Sequence, residues 1–433
     1  MKKVYLTFAA VVAISMSFLT GCSKDIAADL NTEQLNSCNN FEIPVDEALK
    51  TLSEFLETEE LTTKSSALSN GEFTVEKWPR TNGSKAVASS ALSVYCVDFS
   101  KDKGSAILAA DSRLSDKIYS VTDTKITAAD LDAANTQLRQ FSTTNNSLID
   151  FNTLSEAKIK DTGKSFAINL VCKSILDDSS MRRGDEGPSG SSDNEDSSSQ
   201  VIKYGPYLTT KWGQAEPFNN NMNGTPAGCG PIAAAQVIYY FRSDVEPREN
   251  WAWNWDKLKE VTPSTFDTCS DDAKRAAADF VSEVKFRCNM KPSDTQAVVG
   301  DIKRCLKNFG FTDVRYDFAH FGGDAHDIKH INDNIENMIK CEKPVIMLSG
   351  TWDSSADFFK WIQGHAYVLD GYKKDNTGEY LHINWGWYGA YDGYYAKGCF
   401  DLTKRAGYEE SVDYGISGND TVDFNFFHYY VYF

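Results

Sequence analysis

Residues 227–241 read Ala227-Gly228-Cys229-Gly230-Pro231-Ile232-Ala233-Ala234-Ala235-Gln236-Val237-Ile238-Tyr239-Tyr240-Phe241. A cysteine between two glycines runs straight into an apolar segment, and Gly230 to Phe241 reads as a strong helix. Pro231 falls in the first turn, where its missing N–H had no intrahelical partner anyway. Cys229 therefore stands at a helix N-terminus. A cysteine attacks carbonyls usefully only as the thiolate, a form that a helix N-terminus and a nearby imidazolium both favour. Gly228 and Gly230 let the chain bend sharply and let a substrate backbone approach. Alone, the same pattern also describes a buried cysteine ahead of a packed helix.

Residues on either side add partners. Downstream, Gly364-His365-Ala366-Tyr367-Val368 starts an apolar strand with a histidine, and Asn384-Trp385-Gly386-Trp387 follows it. Papain-type enzymes use Cys, then His, then Asn in that order, with a similarly long gap from Cys to His. The histidine must take the thiol proton and later return it to the leaving amine. The asparagine, or backbone near it, must hold the imidazole in the useful tautomer. Upstream, Trp212-Gly213-Gln214 offers a side-chain amide able to donate to a developing oxyanion beside the Cys229 N–H. His382 shares a strand face with Asn384 and is the competing base; Gln214 could instead only cap a turn.

On these residues the C-terminal part resembles the streptopain family of papain-fold cysteine peptidases. The resemblance rests on Lys211 to Asn219, Ala227 to Gly230 with its helix, Trp253-Asn254-Trp255-Asp256, Gly364 to Tyr372, His382 to Trp387 and Asp392-Gly393-Tyr394-Tyr395. These occur in family order over roughly residues 204–433. It implies Cys229 as nucleophile, His365 as general base and acid, Gln214 as oxyanion donor, and Asn384 with Trp385 as the segment orienting His365. Gln363 stands where the family has a second glycine before the histidine, and Gly230-Pro231 follows the nucleophile where the family has valine. Ser93 to Val121, with Ala109 to Leu114, is more loosely similar to the family's inhibitory prodomain.

The rest of the chain sets the context. Beyond the nucleophile helix, Ala273 to Val284 and Gln296 to Phe309 read as helices. Strands are expected at Val345 to Leu348, His365 to Tyr372, Glu379 to Trp385, Gly393 to Ala396 and Asp423 to Tyr432, punctuated by glycines. Further upstream, Leu92 to Phe99 and Ser105 to Ala110 read as paired strands, Ala128 to Thr153 as a helix and Phe166 to Val171 as a last strand. Residues 177–200 hold almost nothing to bury and read as a solvated linker with Arg182-Arg183 inside it. A weaker linker is expected over Thr62 to Gly71. Trp251, Trp253 and Trp255 alternate as a strand-like packing feature.

The first 21 residues have Lys2 and Lys3, an apolar run and a small-residue end, which is the layout of a secretory signal. Leu19-Thr20-Gly21-Cys22 resembles the bacterial lipobox, which implies an acylated Cys22. The net charge of −17 argues against nucleic acid or anionic membrane surfaces as partners. With Cys22 and Cys229 set aside, three cysteines precede the linker and five follow it, so no disulfide is assigned. His320, His326 and His330 could put two ligands on one helix face, but no acidic or third ligand stands at a usual spacing. They read as a solvated loop and helix, with no metal and no cofactor.

The expectation is an α+β precursor. It comprises a signal peptide at 1–21, a tether at 22–71, an inhibitory prodomain at 72–176, a linker with the maturation site at 177–203 and a papain-like domain at 204–433, with a helical lobe and an antiparallel sheet lobe. The expected activity is that of a cysteine endopeptidase acting on proteins or peptides through a thioester. The expected partners are its own prodomain and, through the lipid on Cys22, a membrane of the bacterial cell envelope, the outer one first, or release after processing. The rival readings are a papain-fold amidase or transglutaminase and a non-catalytic surface binding lipoprotein.

Overall fold

The computed structural model describes residues 41–59, 61–79, 92–140, 167–176, 178, 201–243, 253–294, 297–320, 325–352, 361–400 and 427–433. The signal segment, Cys22, Arg182-Arg183, Trp251 and the span 141–153 of the long helix expectation lie outside them. Among the described residues no helix is long and apolar enough to cross a membrane.

Four strands come early: β1 (Phe73–Trp78), β2 (Val94–Phe99), β3 (Ser105–Ala109) and β4 (Ile118–Thr122). They follow helices α1 (Val45–Thr58) and α2 (Thr62–Ser69) and precede α3 (Ala128–Gln140) and α4, residues 167–176. Then come β5 (Ile202–Tyr204), the nucleophile helix α5 (Cys229–Tyr240), α6 (Trp255–Lys259), α7 (Asp271–Arg287) and α8 (Val299–Asn308). The C-terminal part adds β6 (Arg315–His320), α9 (Ala325–Lys340), β7 (Val345–Trp352), β8 (Trp361–Asp375), β9 (Gly378–Asn384), β10 (Gly393–Ala396) and β11 (Phe427–Tyr432). The strands join one sheet in the order β1-β2-β3-β4-β10-β9-β8-β7-β11-β6, with β5 paired to β8. Every pairing is antiparallel. The fold is α+β, as its sequence implied.

Strand alternation sends neighbouring side chains to opposite faces, and the sheet uses this to serve two cores. From β7 and β8, Ile346, Leu348, Ala366 and Val368 pack with α5, α7 and α8. The residues between them, Val345, Met347, Tyr367 and Leu369, pack on the other face with the N-terminal elements. Helix α5 is buried almost all round, from Gly230 to Tyr239. Such a helix lies inside its lobe rather than on its surface. Ser270 caps α7 by accepting from the Ala273 N–H at 3.2 Å, with Asp271 and Asp272 favourably placed against the helix dipole.

The early sheet is continuous with the later one. Strand β4 lies on β10 with Thr122 opposite Gly393 and Ser120 opposite Tyr395. Gly393 is required there, since a Cβ would stand 2.2 Å from the Val121 carbonyl oxygen.

Several local expectations are corrected. The weak linker at Thr62 to Gly71 is helix α2, with Lys64 and Ala67 buried, and α1 sets Leu52, Phe55 and Leu56 into the same core. Folded structure thus begins inside the segment expected to be a tether. Residues 167–171 open helix α4 rather than forming a strand. Its buried Ala167, Ile168, Val171, Cys172 and Ile175 follow helical spacing, which a six-residue apolar run is too short to reveal. Trp255 begins α6, and it and Trp253 meet the Phe280 ring at 5.3 and 5.2 Å, so these tryptophans are not on a strand. His320 ends strand β6, while His326 and His330 fall within α9.

Candidate active site

The nucleophile's position follows from the chain around it. Gly228 adopts φ 93° as the cap of α5, a conformation that favours glycine, and so turns the chain into the helix at Cys229. Backbone amides of Cys229, Gly230 and Ala366 are disposed to stabilise the sulfur, but burial outweighs them and pushes the thiol pKa up. Ala366 is the residue after His365. The sulfur therefore sits where the start of α5 meets β8.

His365 is buried, and its Nε2 lies 2.8 Å from the Trp385 carbonyl oxygen. A carbonyl only accepts, so Nε2 carries the proton and donates, leaving Nδ1 with the lone pair. Burial lowers the imidazole pKa to about 4, against the pull of the Trp385 carbonyl. Burial thus favours the uncharged form of each group. The Trp387 ring stacks on the imidazole at 4.3 Å and lies parallel to Trp385 at 5.2 Å, covering the His365–Trp385 contact.

Gln214 is buried, and its backbone carbonyl accepts from the Ala227 N–H at 2.7 Å, two residues before the nucleophile. The same loop is zipped to the segment after Trp385. The Tyr388 N–H donates to the Trp212 carbonyl at 3.1 Å, and the Ala215 N–H donates to the Tyr388 hydroxyl at 2.7 Å. Gly213 permits the contact, because a Cβ there would lie 2.2 Å from the Tyr388 ring. Gln214, Cys229, His365 and Trp385 are thus brought together from distant parts of the chain.

Asn384 is the exception. Its Nδ2 donates to the Thr210 carbonyl at 2.7 Å, and its Oδ1 accepts from Gln236 Nε2 at 3.0 Å and from the Gly386 N–H at 3.1 Å. The side chain braces the interior, and the backbone of the next residue meets the histidine. His382 is engaged by a carboxylate: its Nδ1 pairs with Asp370 Oδ1 at 2.6 Å, and Asp370 raises its pKa against burial.

Gln236 escaped the sequence reading. It is fully buried within α5, its Oε1 accepts from the Trp212 N–H at 3.2 Å, and its Nε2 reaches Asn384. It links the Trp-Gly-Gln loop, the nucleophile helix and the strand that follows the histidine. A polar residue in the middle of an otherwise apolar helix was the one available signal, since a buried amide needs partners.

Among the described residues, no group of three or more histidine, cysteine or acidic side chains is arranged to hold a metal ion. Residues 212–395 match the Peptidase C10 family. Among solved structures, the chain is similar to the active wild-type interpain A cysteine protease of Prevotella intermedia. That match has 23% identity, covers 53% of this chain and 94% of the other, and has a TM-score of 0.38. No curated protein matches the chain.

Proposed function

Since this chain carries a cysteine peptidase domain of the C10 family at residues 212–395, we propose that it is an endopeptidase made as a latent, exported precursor, with Cys229 and His365 as its reacting pair. The observation that carries the assignment is the tautomer: the Trp385 carbonyl occupies Nε2 of His365, so Nδ1 is the basic nitrogen. As Cys229 attacks a peptide carbonyl, Nδ1 takes the thiol proton. The oxygen of the tetrahedral intermediate becomes negative and is met by the Gln214 side-chain amide and the Cys229 N–H. The C–N bond breaks, the imidazolium returns its proton to the amine, and a thioester remains. Water, deprotonated by the same imidazole, cleaves the thioester and restores the thiol.

Latency is supported by the N-terminal region's position. Strand β4 continues the domain's own sheet through β10, and the Asp123 N–H donates to the Asp392 carbonyl at 2.9 Å, close to the segment that meets His365. The tether through residues 177–203 would hold this region at high effective concentration until cut. Export and lipid attachment at Cys22 rest on the N-terminal sequence.

The test uses purified full-length protein with and without reductant, followed by mass spectrometry and casein hydrolysis. Reductant is expected to produce self-cleavage in the linker and activity, and Cys229→Ala to abolish both. An epoxysuccinyl thiol reagent should label Cys229. Residual hydrolysis in the Cys229→Ala protein would remove the assignment, and digestion of peptidoglycan but not casein would make the protein an amidase.

A further inference from the structure

The Trp385 peptide is held on both sides. Its carbonyl meets His365 Nε2 at 2.8 Å, and its N–H donates to Asp392 Oδ1 at 2.9 Å. The indole N–H donates to the Tyr395 hydroxyl at 3.2 Å, and that hydroxyl donates to the Tyr391 carbonyl at 2.8 Å. Trp385 is therefore fixed through the short segment 391–395, and Asp392 is the only side chain of that segment on its main chain among the described contacts.

We propose that Asp392 is a positioning residue for the base: its carboxylate fixes the Trp385 peptide, and through it the tautomer and direction of His365. This rests on His365 being the base. A carbonyl oxygen can swing about the chain axis, and a misplacement of about 1 Å can cost on the order of 100-fold in rate. A second anchor on the same residue's N–H removes that freedom.

An ionised carboxylate buried to 3% exposure is an expensive way to brace a turn, and burial pushes its pKa up to about 7. The surrounding charged groups are committed elsewhere: Lys211 pairs with Asp123 at 3.0 Å and His382 with Asp370 at 2.6 Å. Asp392 is thus placed to act as a hydrogen-bond acceptor, a role asparagine can copy.

The experiment compares Asp392→Ala, Asp392→Ser and Asp392→Asn in the full-length chain after reductive activation, with rates normalised to sites titrated by the epoxysuccinyl reagent. The alanine and serine side chains cannot reach the Trp385 N–H. Both should lower kcat by about 10- to 100-fold with KM little changed, and asparagine should restore most of the loss. The pH profile of Cys229 alkylation by iodoacetamide, read by peptide mass spectrometry, should move toward that of an ordinary thiol in the first two variants and stay in place with asparagine. Wild-type kcat in the folded alanine or serine variant overturns the proposal. So does a loss that asparagine fails to restore. Failure of both short variants to fold, beside a folded and fully active asparagine variant, also overturns it, because Asp392 then serves the fold as a whole. Cys229→Ala runs in parallel: if it retains activity, the assignment of the reacting pair has failed, whatever Asp392 does.

Discussion

Gln236 and Asn384 meet side chain to side chain in the interior, with Gln236 Nε2 donating to Asn384 Oδ1 at 3.0 Å. One residue lies on the nucleophile helix and the other directly precedes the residue whose carbonyl meets His365. The contact spans the two lobes at the point where the reacting groups converge. Removing the Gln236 amide leaves the Trp212 N–H without its side-chain acceptor and Asn384 Oδ1 without one of its donors. Gln236→Ala should therefore cost about 1–3 kcal/mol or more of stability, read from denaturant unfolding. A variant as stable as wild type would mean that the lobes are held by apolar contact alone.

The N-terminal region has its own lock. Lys373 on β8 is sealed from solvent, with its ammonium 3.0 Å from the Phe55 carbonyl at the end of α1 and 3.4 Å from the Glu59 carboxylate. Asp375 lies 3.0 Å away, and Glu59 also pairs with Lys203 at 3.1 Å. Removing one member of such a buried set leaves the others uncompensated, at a cost of about 3–5 kcal/mol. Lys373→Met should speed amide hydrogen exchange in α1 and hasten proteolysis of the N-terminal region. Unchanged exchange there would show that the sheet pairing of β4 with β10 holds the region by itself.

Gln214→Ala should lower turnover by about 10- to 1,000-fold with little change in KM. Its amide would act on charge that develops only in the transition state. Steady-state kinetics on a peptide substrate decides it, and an unchanged kcat would reduce Gln214 to the residue whose carbonyl holds Ala227.

Lys285 gives a pH signature. Its ammonium is buried in α7 and donates to the carbonyls of Pro226 and Pro292 at 3.1 and 3.0 Å. Burial pushes its pKa down to about 8 from 10.5, with Asp294 opposing. Between those values the unfolded chain keeps a proton that the folded chain has released, so this residue's contribution to stability rises with pH from about 8 to 10.5. Below 8 the cost of burying the charge is fully present. The wild-type stability minus that of Lys285→Met should climb over this window and level off above it. A flat difference in denaturant melts across the window would mean that Lys285 titrates as an ordinary lysine.

The sequence by itself determined the long periodic helices, the glycine-punctuated strands and the order of the motifs. Helical periodicity over a dozen residues and the turn behaviour of glycine are local, so α5 with Cys229 at its start, α7, β8 and β9 were legible without a fold. Weakly patterned segments were not: α2 is a polar eight-residue stretch and the apolar run that opens α4 is only six residues long, so neither declares a period, and burial against the sheet made them helices. The site divides the same way. Cys229, His365 and Gln214 were visible because their chemistry resides in side chains. The tertiary structure alone decided what meets His365 Nε2, because a backbone carbonyl carries no residue identity and any amino acid at position 385 would supply one. It likewise decided that Asn384 turns to Gln236 and that Asp392 faces the Trp385 N–H. Those partners are fixed by loops and lobes closing over long sequence separations, which no local pattern encodes.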